Sequence, residues 1–388
     1  MNTKVFQYRN ILPPDVSEAG RFLLCVMAFL NFPIGEGAAR RILKCVVCDD
    51  NAPGTLKQLI SGGYLIRRET GQGVFLAITA KTLSYLDIHA EYTPHRTVKI
   101  PDASLLTNRL KGELAAREIV SLAASVYIEA WDKLPEDEQQ RYLAQKGTDQ
   151  HRFEQALLSR STTTIDILPR SLVSAKEIVK AVVDGLEAGR IPFTAYHRQA
   201  VYRSADLPML HAMENLDGAL RYKMTTAAMR KKPDENCGSI KAKRYLELTD
   251  ELAAIDQTIT ALKPKATVLT YAHGEKALTL SNLDANGIYI RTIADGQIYF
   301  GILNNAPYGL PGDTLSRRID MCVSLADHLS LTPFISIYTL PEAREVTRRR
   351  LPYTLERLAL PNPPQIRLAT LPDKKPVTKH KALSGLAL

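Results

Sequence analysis

The chain has 388 residues and a formal net charge of +9, enough for two to three domains with ample core. Its five cysteines, Cys25, Cys45, Cys48, Cys237 and Cys322, are odd in number and scattered, so no disulfide framework is expected and a reduced cytoplasm fits better. The polar start Met1 to Asn10 and the short apolar stretch around Phe22 to Phe32 give no expectation of a signal peptide, a membrane span or a membrane partner.

Pro13-Pro14 precede Asp15, a good N-cap, and Glu18 three residues later has the spacing of a capping box. An apolar run holding Phe22, Leu23, Leu24, Val26, Met27, Phe29 and Leu30 follows, which predicts a buried first helix. Gly35 to Cys48 places Ala38, Ile42, Leu43 and Val46 at helical spacing, with Arg40, Arg41 and Lys44 between them. The loop Asp49-Asp50-Asn51-Ala52-Pro53-Gly54 breaks this second helix. A third helix, Thr55 to Ser61, stops at Gly62-Gly63; Leu56, Leu59 and Ile60 face the core, while Thr55, Lys57, Gln58 and Ser61 stay outside. Two strands around Gly71-Gln72-Gly73 form a hairpin with Arg67 and Arg68 at its base, since glycine supplies the positive φ that tight turns require. Thr79 then caps a short helix.

Three helices, a glycine-punctuated hairpin and a closing helix make Asp15 to Asp87 resemble a winged helix-turn-helix. The resemblance implies that Thr55, Lys57, Gln58 and Ser61 enter the major groove of duplex DNA. It implies further that Arg67, Arg68 and Gln72 meet phosphate or the minor groove, and that Arg40, Arg41 and Lys44 position the backbone. Some winged helices bind only protein, which keeps an adaptor role open. Cys45-Val46-Val47-Cys48 is a lone pair with no second pair or histidine at ligand spacing, so helix packing is expected there and no metal.

The centre reads as helical. Leu105, Leu106, Leu110, Leu114, Ile119, Leu122, Val126 and Tyr127 predict one long helix ending near Trp131, and Pro135 starts another with Glu136-Asp137-Glu138 in its first turn. Helices from His151 to Leu158 and from Ala175 to Ala188, closed by Gly189, come next. Residues 190–205 interleave Arg190, Tyr196, His197, Arg198, Tyr202 and Arg203, as a partly buried linker or a nucleic-acid grip would. Two helices, Pro208 to Arg230 and Ser239 to Leu262, follow. The second carries the seam Tyr245, Leu248, Leu252, Ile255, Ile259 and Leu262. Leu248, Leu252, Ile255 and Ile259 can pair two subunits into a homodimer, or close a hairpin on Met213, Leu216, Leu220 and Ala227.

From Ala266 the period changes to that of strands. Thr267 to Tyr271, Ala277 to Leu280, Gly287 to Ile293 and Gln297 to Leu303 are predicted strands, with a turn at Ala294-Asp295-Gly296. A helix from Thr314 to Leu329 and the apolar strand Pro333 to Tyr338 complete a small α/β domain. This order is that of nuclease-like domains of the PD-(D/E)xK type. Joined to a winged helix, it is similar to the replication-relaxation proteins of mobile elements. A magnesium-dependent nuclease needs clustered carboxylates and usually a lysine. The strand Gln297 to Leu303 has neither, and Asp284, Asp295, Asp313 and Asp320 fall in loops, a turn and a helix. The domain is therefore expected to be structural or protein-binding, with no catalytic residue and no cofactor. No P-loop, Gly-x-Ser-x-Gly elbow, His-Glu-x-x-His motif, His-x-His pair or His-x-x-Arg spacing occurs.

Residues 341–388 hold ten Lys and Arg against four acids, +6 of the +9, with Pro352, Pro361, Pro363, Pro364, Pro372 and Pro376. The expectation is a basic, proline-rich tail, its distal part extended, that lies along phosphates through residues such as Arg348, Arg349 and Arg350 or simply solubilises the chain. The sequence thus reads as a mostly helical α+β protein: a winged-helix domain (1–100), a helical region (101–265) with a pairing helix at 239–262, a small α/β domain (266–340) and the tail. Its expected function is duplex-DNA binding, in transcriptional regulation or plasmid or phage maintenance; a metal-dependent nuclease and a protein adaptor are the alternatives.

Overall fold

Ser17, not Asp15, starts the first helix. In the computed structural model, which describes residues 15–47, 51–85, 105–145, 172–205, 207–230, 239–264, 268–271 and 274–371, α1 (Glu18–Leu30) is capped by the Ser17 hydroxyl, which accepts the Gly20 N–H at 3.2 Å. Asp15 is engaged elsewhere: its carboxylate accepts the Tyr64 hydroxyl at 3.0 Å. A second boundary also moves. The expected loop through Asn51 and Gly54 is already helical, and α3 runs over Asn51–Ser61. Pro53 lies in its first turn, where a missing N–H leaves no intrahelical bond unmade.

The chain divides into two units: residues to Asp184 with 339–344 and 369–388, and Gly185–Tyr338 with Glu345–Leu368. In the first, α1 is followed by β1 (Ile34–Gly35), α2 (Glu36–Leu43), α3, β2 (Leu65–Thr70), β3 (Gly73–Ile78) and α4 (Ala80–Tyr85). The three strands form an antiparallel sheet in the order β1-β3-β2. Three helices, a three-stranded sheet and a closing helix thus follow one another in the expected order. Phe22, Leu23, Leu24, Val26, Ile34, Ile42, Leu43, Leu56, Leu59 and Phe75 are buried within it, so one apolar centre fixes all three helices and the sheet. The hydroxyl of Thr79 accepts the Thr82 N–H at 3.2 Å, the expected cap of α4.

The helical region is not a separate body. Its first helix, α5 (Leu105–Asp132), packs on β1 and α2 and buries Leu110, Leu114, Ile119, Val120 and Ala123. Glu113, on the same face, is buried and pairs with Arg41 of α2. Burial raises the Glu113 carboxyl above the usual range despite the cations Arg41 and Arg109 beside it. Next come α6 (Glu136–Gln145) and α7 (Ala175–Glu187). Ser174 and Glu177 cap α7 reciprocally: the Ser174 N–H and hydroxyl both donate to the Glu177 carboxylate at 2.8 Å, and the Ser174 hydroxyl accepts the Glu177 N–H. The predicted helix at 151–158 lies outside the described residues.

In the second unit the segment 190–205 is mostly helix, α8 (Ala195–Ala205). Gly189 permits the tight approach to it: its φ is +71°, and a Cβ there would lie 2.5 Å from the Tyr196 carbonyl. α9 (Pro208–Met229) and α10 (Ser239–Leu262) form a helical hairpin. β4 (Val268–Tyr271) pairs antiparallel with β5 (Gly274–Ala277). The strand expected at Ala277–Leu280 ends at Ala277 instead, because Thr279 caps α11 (Leu280–Ala285) by accepting the Asn282 N–H at 3.2 Å.

The main sheet has the order β6 (Ile288–Ala294), β7 (Gln297–Asn304), β8 (Thr332–Thr339), β9 (Gln365–Thr370). β6 and β7 are antiparallel around Asp295 and Gly296, whose φ values of 51° and 71° suit a tight hairpin turn. α12 (Gly312–His328) links β7 to β8, and α13 (Arg344–Leu358) links β8 to β9. The Thr332 N–H donates to Gly296 at 2.9 Å, joining the starts of β7 and β8 as parallel strands do. The first part of the expected basic tail therefore belongs to this fold as a helix and a strand; residues 372–388 lie outside the described residues. The core joins Ile288, Ile290, Ile298, Phe300 and Ile302 of the hairpin to Leu315, Ile319, Cys322 and Leu325 of α12 and to Ile335 and Ile337 of β8. No helix among the described residues is long and apolar enough to cross a membrane.

Two substitutions test this packing. Tyr289 and Gly301 face each other across β6 and β7, and a Cβ on Gly301 would lie 2.2 Å from the Tyr289 ring. Gly301→Ala is expected to cost about 1–3 kcal/mol, read as a lowered thermal midpoint; an unchanged midpoint would contradict the ring-over-glycine contact. Arg41→Ala should cost a similar amount, about 1–3 kcal/mol given the half-exposed arginine. The folded Glu113 carboxyl binds its proton more tightly than the unfolded one, so this loss is small at pH values below the unfolded carboxyl pKa and grows as pH rises through the folded one. Urea melts should show a larger Arg41→Ala deficit at pH 8 than at pH 5, and a deficit that is flat with pH would count against it.

Candidate nucleic-acid interface

α3 separates its residues by period. Ala52, Leu56 and Leu59 are buried, whereas Pro53, Gly54, Lys57, Gln58 and Ser61 are exposed and recur at steps of one, three and four, a single helical stripe. Lys57 stands on that stripe without an ion-pair partner among the described residues. The other polar groups are bound locally. Gln58 Nε2 donates to the Asp15 carbonyl at 3.2 Å, the Ser61 hydroxyl to the Gln58 carbonyl at 3.2 Å, and the Thr55 hydroxyl to the Asn51 carbonyl at 3.0 Å. Thr55 is only half-exposed, off the centre of the stripe.

Tyr64 anchors the end of α3. Its ring is buried, Lys81 lies 4.2 Å above the ring centroid, and its carbonyl accepts the Thr79 N–H at 3.1 Å. Lys81 Nζ also donates to the Gly62 carbonyl at 2.8 Å. The β2–β3 hairpin leaves from this anchor. At its tip Gln72 is exposed, and its N–H donates to the Thr70 hydroxyl at 3.2 Å.

The arginines are more committed than their spacing suggested. Glu36, at the start of α2, pairs with Arg40 and also accepts Arg67 Nε of β2 at 3.1 Å. Burial raises its carboxyl, but the hydrogen bonds from Arg67 and Arg40 outweigh that and hold it below the usual range. Arg67 also lies 3.5 Å from Glu69. Arg41 is turned inward to Glu113. Lys44 and Arg68 are half-exposed, and each has a further interaction within the chain.

A cleft of about 500 Å³ lies along one flank of α3. Gly54, Thr55 and Gln58 form one wall, Ser17 and Glu18 the start of α1, and Ala175 and Val179 the facing wall on α7. No local pattern along the chain announces this neighbour. The Ser174/Glu177 cap marks where α7 begins, but docking over a separation of some 120 residues leaves no periodic trace.

The other predicted sites disperse. Arg348 and Arg349 of α13 are exposed and share Glu345 at 3.2 and 3.0 Å, whereas Arg350 donates to the Gly309 and Leu310 carbonyls at 3.3 and 2.9 Å and holds the loop before α12. The pairing seam is filled within the chain: Leu248, Leu252 and Ile259 are buried and Ile255 is half-buried, with Leu216 and Leu220 of α9 in the same apolar cluster as Ile255 and Ile259. The hairpin alternative accounts for the burial of these four residues.

The acids of the nuclease alternative do not converge. Asp295 occupies the β6–β7 turn, Asp313 pairs with Arg357, Asp284 is exposed at the end of α11, and Asp320 is half-buried on α12, its carboxyl raised by burial. Among the described residues no group of three His, Cys, Asp or Glu side chains could hold a metal ion. Cys45 is buried, and its thiol faces the Arg41 carbonyl at 3.6 Å. No family model, curated protein or solved structure matches the chain.

Proposed function

We propose that the first unit binds duplex DNA through α3 and the β2–β3 hairpin, as a cytoplasmic transcriptional regulator or an accessory factor in plasmid or phage maintenance. The observation that carries this is the exposed stripe of α3, where Lys57, Gln58 and Ser61 stand outward while Leu56 and Leu59 anchor the helix from behind. An exposed helix of this kind, with short polar side chains and one cation, fits a major groove about 12 Å wide. The hairpin adds Gln72 at its tip and Arg67 and Arg68 along β2, within reach of the flanking backbone. Arg40 and Arg67 would exchange Glu36 for phosphate on binding, which makes that carboxylate a brake on affinity.

A second reading rests on the cleft beside α3. A partner polypeptide seated between α3 and α7 would use the same wall without DNA, the adaptor alternative. Fluorescence anisotropy with labelled random duplex decides between them. Binding should weaken steeply as salt rises, because phosphate contacts release counterions. Lys57→Ala should weaken it by about 1–3 kcal/mol if the lysine reads a base edge, and Glu36→Gln should tighten it. No binding of duplex at low salt would eliminate the DNA reading and favour the adaptor. Plasmid cleavage in magnesium, lost on Asp320→Ala, would replace both with a nuclease.

A further inference from the structure

The distal half of the α9–α10 hairpin carries a concentration of apolar surface that the fold does not use. Among the described residues, seven large apolar side chains are exposed, and five of them, Tyr222, Met224, Met229, Ile240 and Leu246, fall within this half at 55% to 83% exposure. Single residues of this kind are ordinary on a protein surface, but five on one half of one hairpin is a density that the rest of the described surface does not show.

Charge along the hairpin identifies the partner. Residues 221–230 and 239–246 contain six Lys and Arg and no Asp or Glu, whereas 208–220 and 247–262 contain six Asp and Glu and no Lys or Arg. The distal half is therefore +6 and the proximal half −6. Such a rod is complementary to a copy of itself laid antiparallel, and repels a copy laid parallel. Duplex DNA would match the basic half but has no use for the apolar side chains or the acidic half.

The exposed stripe of α10 has the register this requires. Lys243, Leu246, Asp250, Ala253 and Gln257 recur at steps of three and four, and all are exposed. They lie on a different face from the buried seam Leu248, Leu252 and Ile259. Lys243 and Asp250 are two turns apart, about 10 Å, too far to pair within the helix. Neither has an ion-pair partner among the described residues, although Arg244 is already bound to Glu247 and Glu251 at 3.2 and 3.3 Å.

We propose that the chain self-associates through this face, α10 against α10 of a second copy, antiparallel about a two-fold axis at Leu246. Leu246 then packs on its own counterpart, and Lys243 of each copy lies opposite Asp250 of the other to within about one residue rise, 1.5 Å. The contact has a small apolar centre ringed by complementary charge, so it is reversible and sensitive to salt. Such a dimer carries two copies of the first unit, which on the DNA reading proposed above adds affinity through two binding surfaces.

Sedimentation equilibrium of the full chain without nucleic acid tests this. A monomer–dimer equilibrium is expected that loosens with salt. Lys243→Glu and Asp250→Lys should each weaken it by about tenfold, and the double variant Lys243→Glu/Asp250→Lys should restore it. Leu246→Asp should leave a monomer with an unchanged melting curve, since the position is on the surface. A monomer at every concentration up to about 100 µM, a dimer indifferent to these changes, or a double variant that fails to recover each overturns the proposal. So does binding of anionic vesicles through Leu246 in place of self-association. Because no DNA is present, none of these outcomes bears on the reading of α3.

Discussion

The first unit depends on how Tyr64 is held. Its ring is buried where α3 ends and β2 begins, its hydroxyl reaches the Asp15 carboxylate, and its carbonyl takes the Thr79 N–H and the Thr82 hydroxyl. One residue thereby ties the segment before α1, the exit from α3, the foot of the hairpin and the cap of α4. An aromatic ring suits this junction because it combines a large apolar area with a polar tip that needs only one partner. This knot acts at the C-terminal end of α3 and leaves Lys57 exposed.

Net charge was a poor guide to where cations are free. Arg41, Arg350 and Arg318 each look like surface basic residues in the sequence, yet all three are consumed by the fold. Arg41 holds Glu113, Arg350 holds the loop carbonyls before α12, and Arg318 is buried with its guanidinium on the Leu303 carbonyl at 2.7 Å. Burial and the neighbouring Arg317 bring Arg318 down to about 10. The +6 assigned to the C-terminal stretch is likewise reduced as a free surface, because α13 and β9 are parts of a packed sheet. Against this background Lys57 and Lys243 are among the cations that no ion pair holds among the described residues.

Much of the secondary structure was legible because it rests on short-range rules. The Gly-rich hairpin, the Asp295-Gly296 turn, the helix from Ser239 to Leu262 and the closing Thr79 cap all follow from turn chemistry and apolar spacing. The misplaced boundaries share one cause: a polar residue had two possible partners, and only the tertiary structure chose. Asp15 could cap α1 and instead binds Tyr64; Asn51 to Gly54 looked like a loop and became the first turn of α3. Thr279 looked like strand and became a cap. Long-range neighbours were harder still. The α10 seam allowed two partners, and the docking of α7 beside α3 had no local signature at all. The exposed stripe of α3 was legible apart from Thr55, which sits half-covered at its edge.

The main sheet ends in two strands whose outer edges must be kept from pairing with other chains. α8 packs along β6, and His197 brings its Nε2 within 3.3 Å of the Ile290 carbonyl while Nδ1 lies 2.9 Å from the Gly189 carbonyl. The imidazole ring stands against the Ile290 carbonyl, and α8 blocks the approach of an invading strand to this edge. At the opposite edge β9 is short, is preceded by Pro361, Pro363 and Pro364, and carries the exposed Arg367. The basic and aromatic segment at 190–205 is thus a guard for the sheet: loosening α8 would expose a template for strand addition, and the first consequence would be aggregation of the chain with itself.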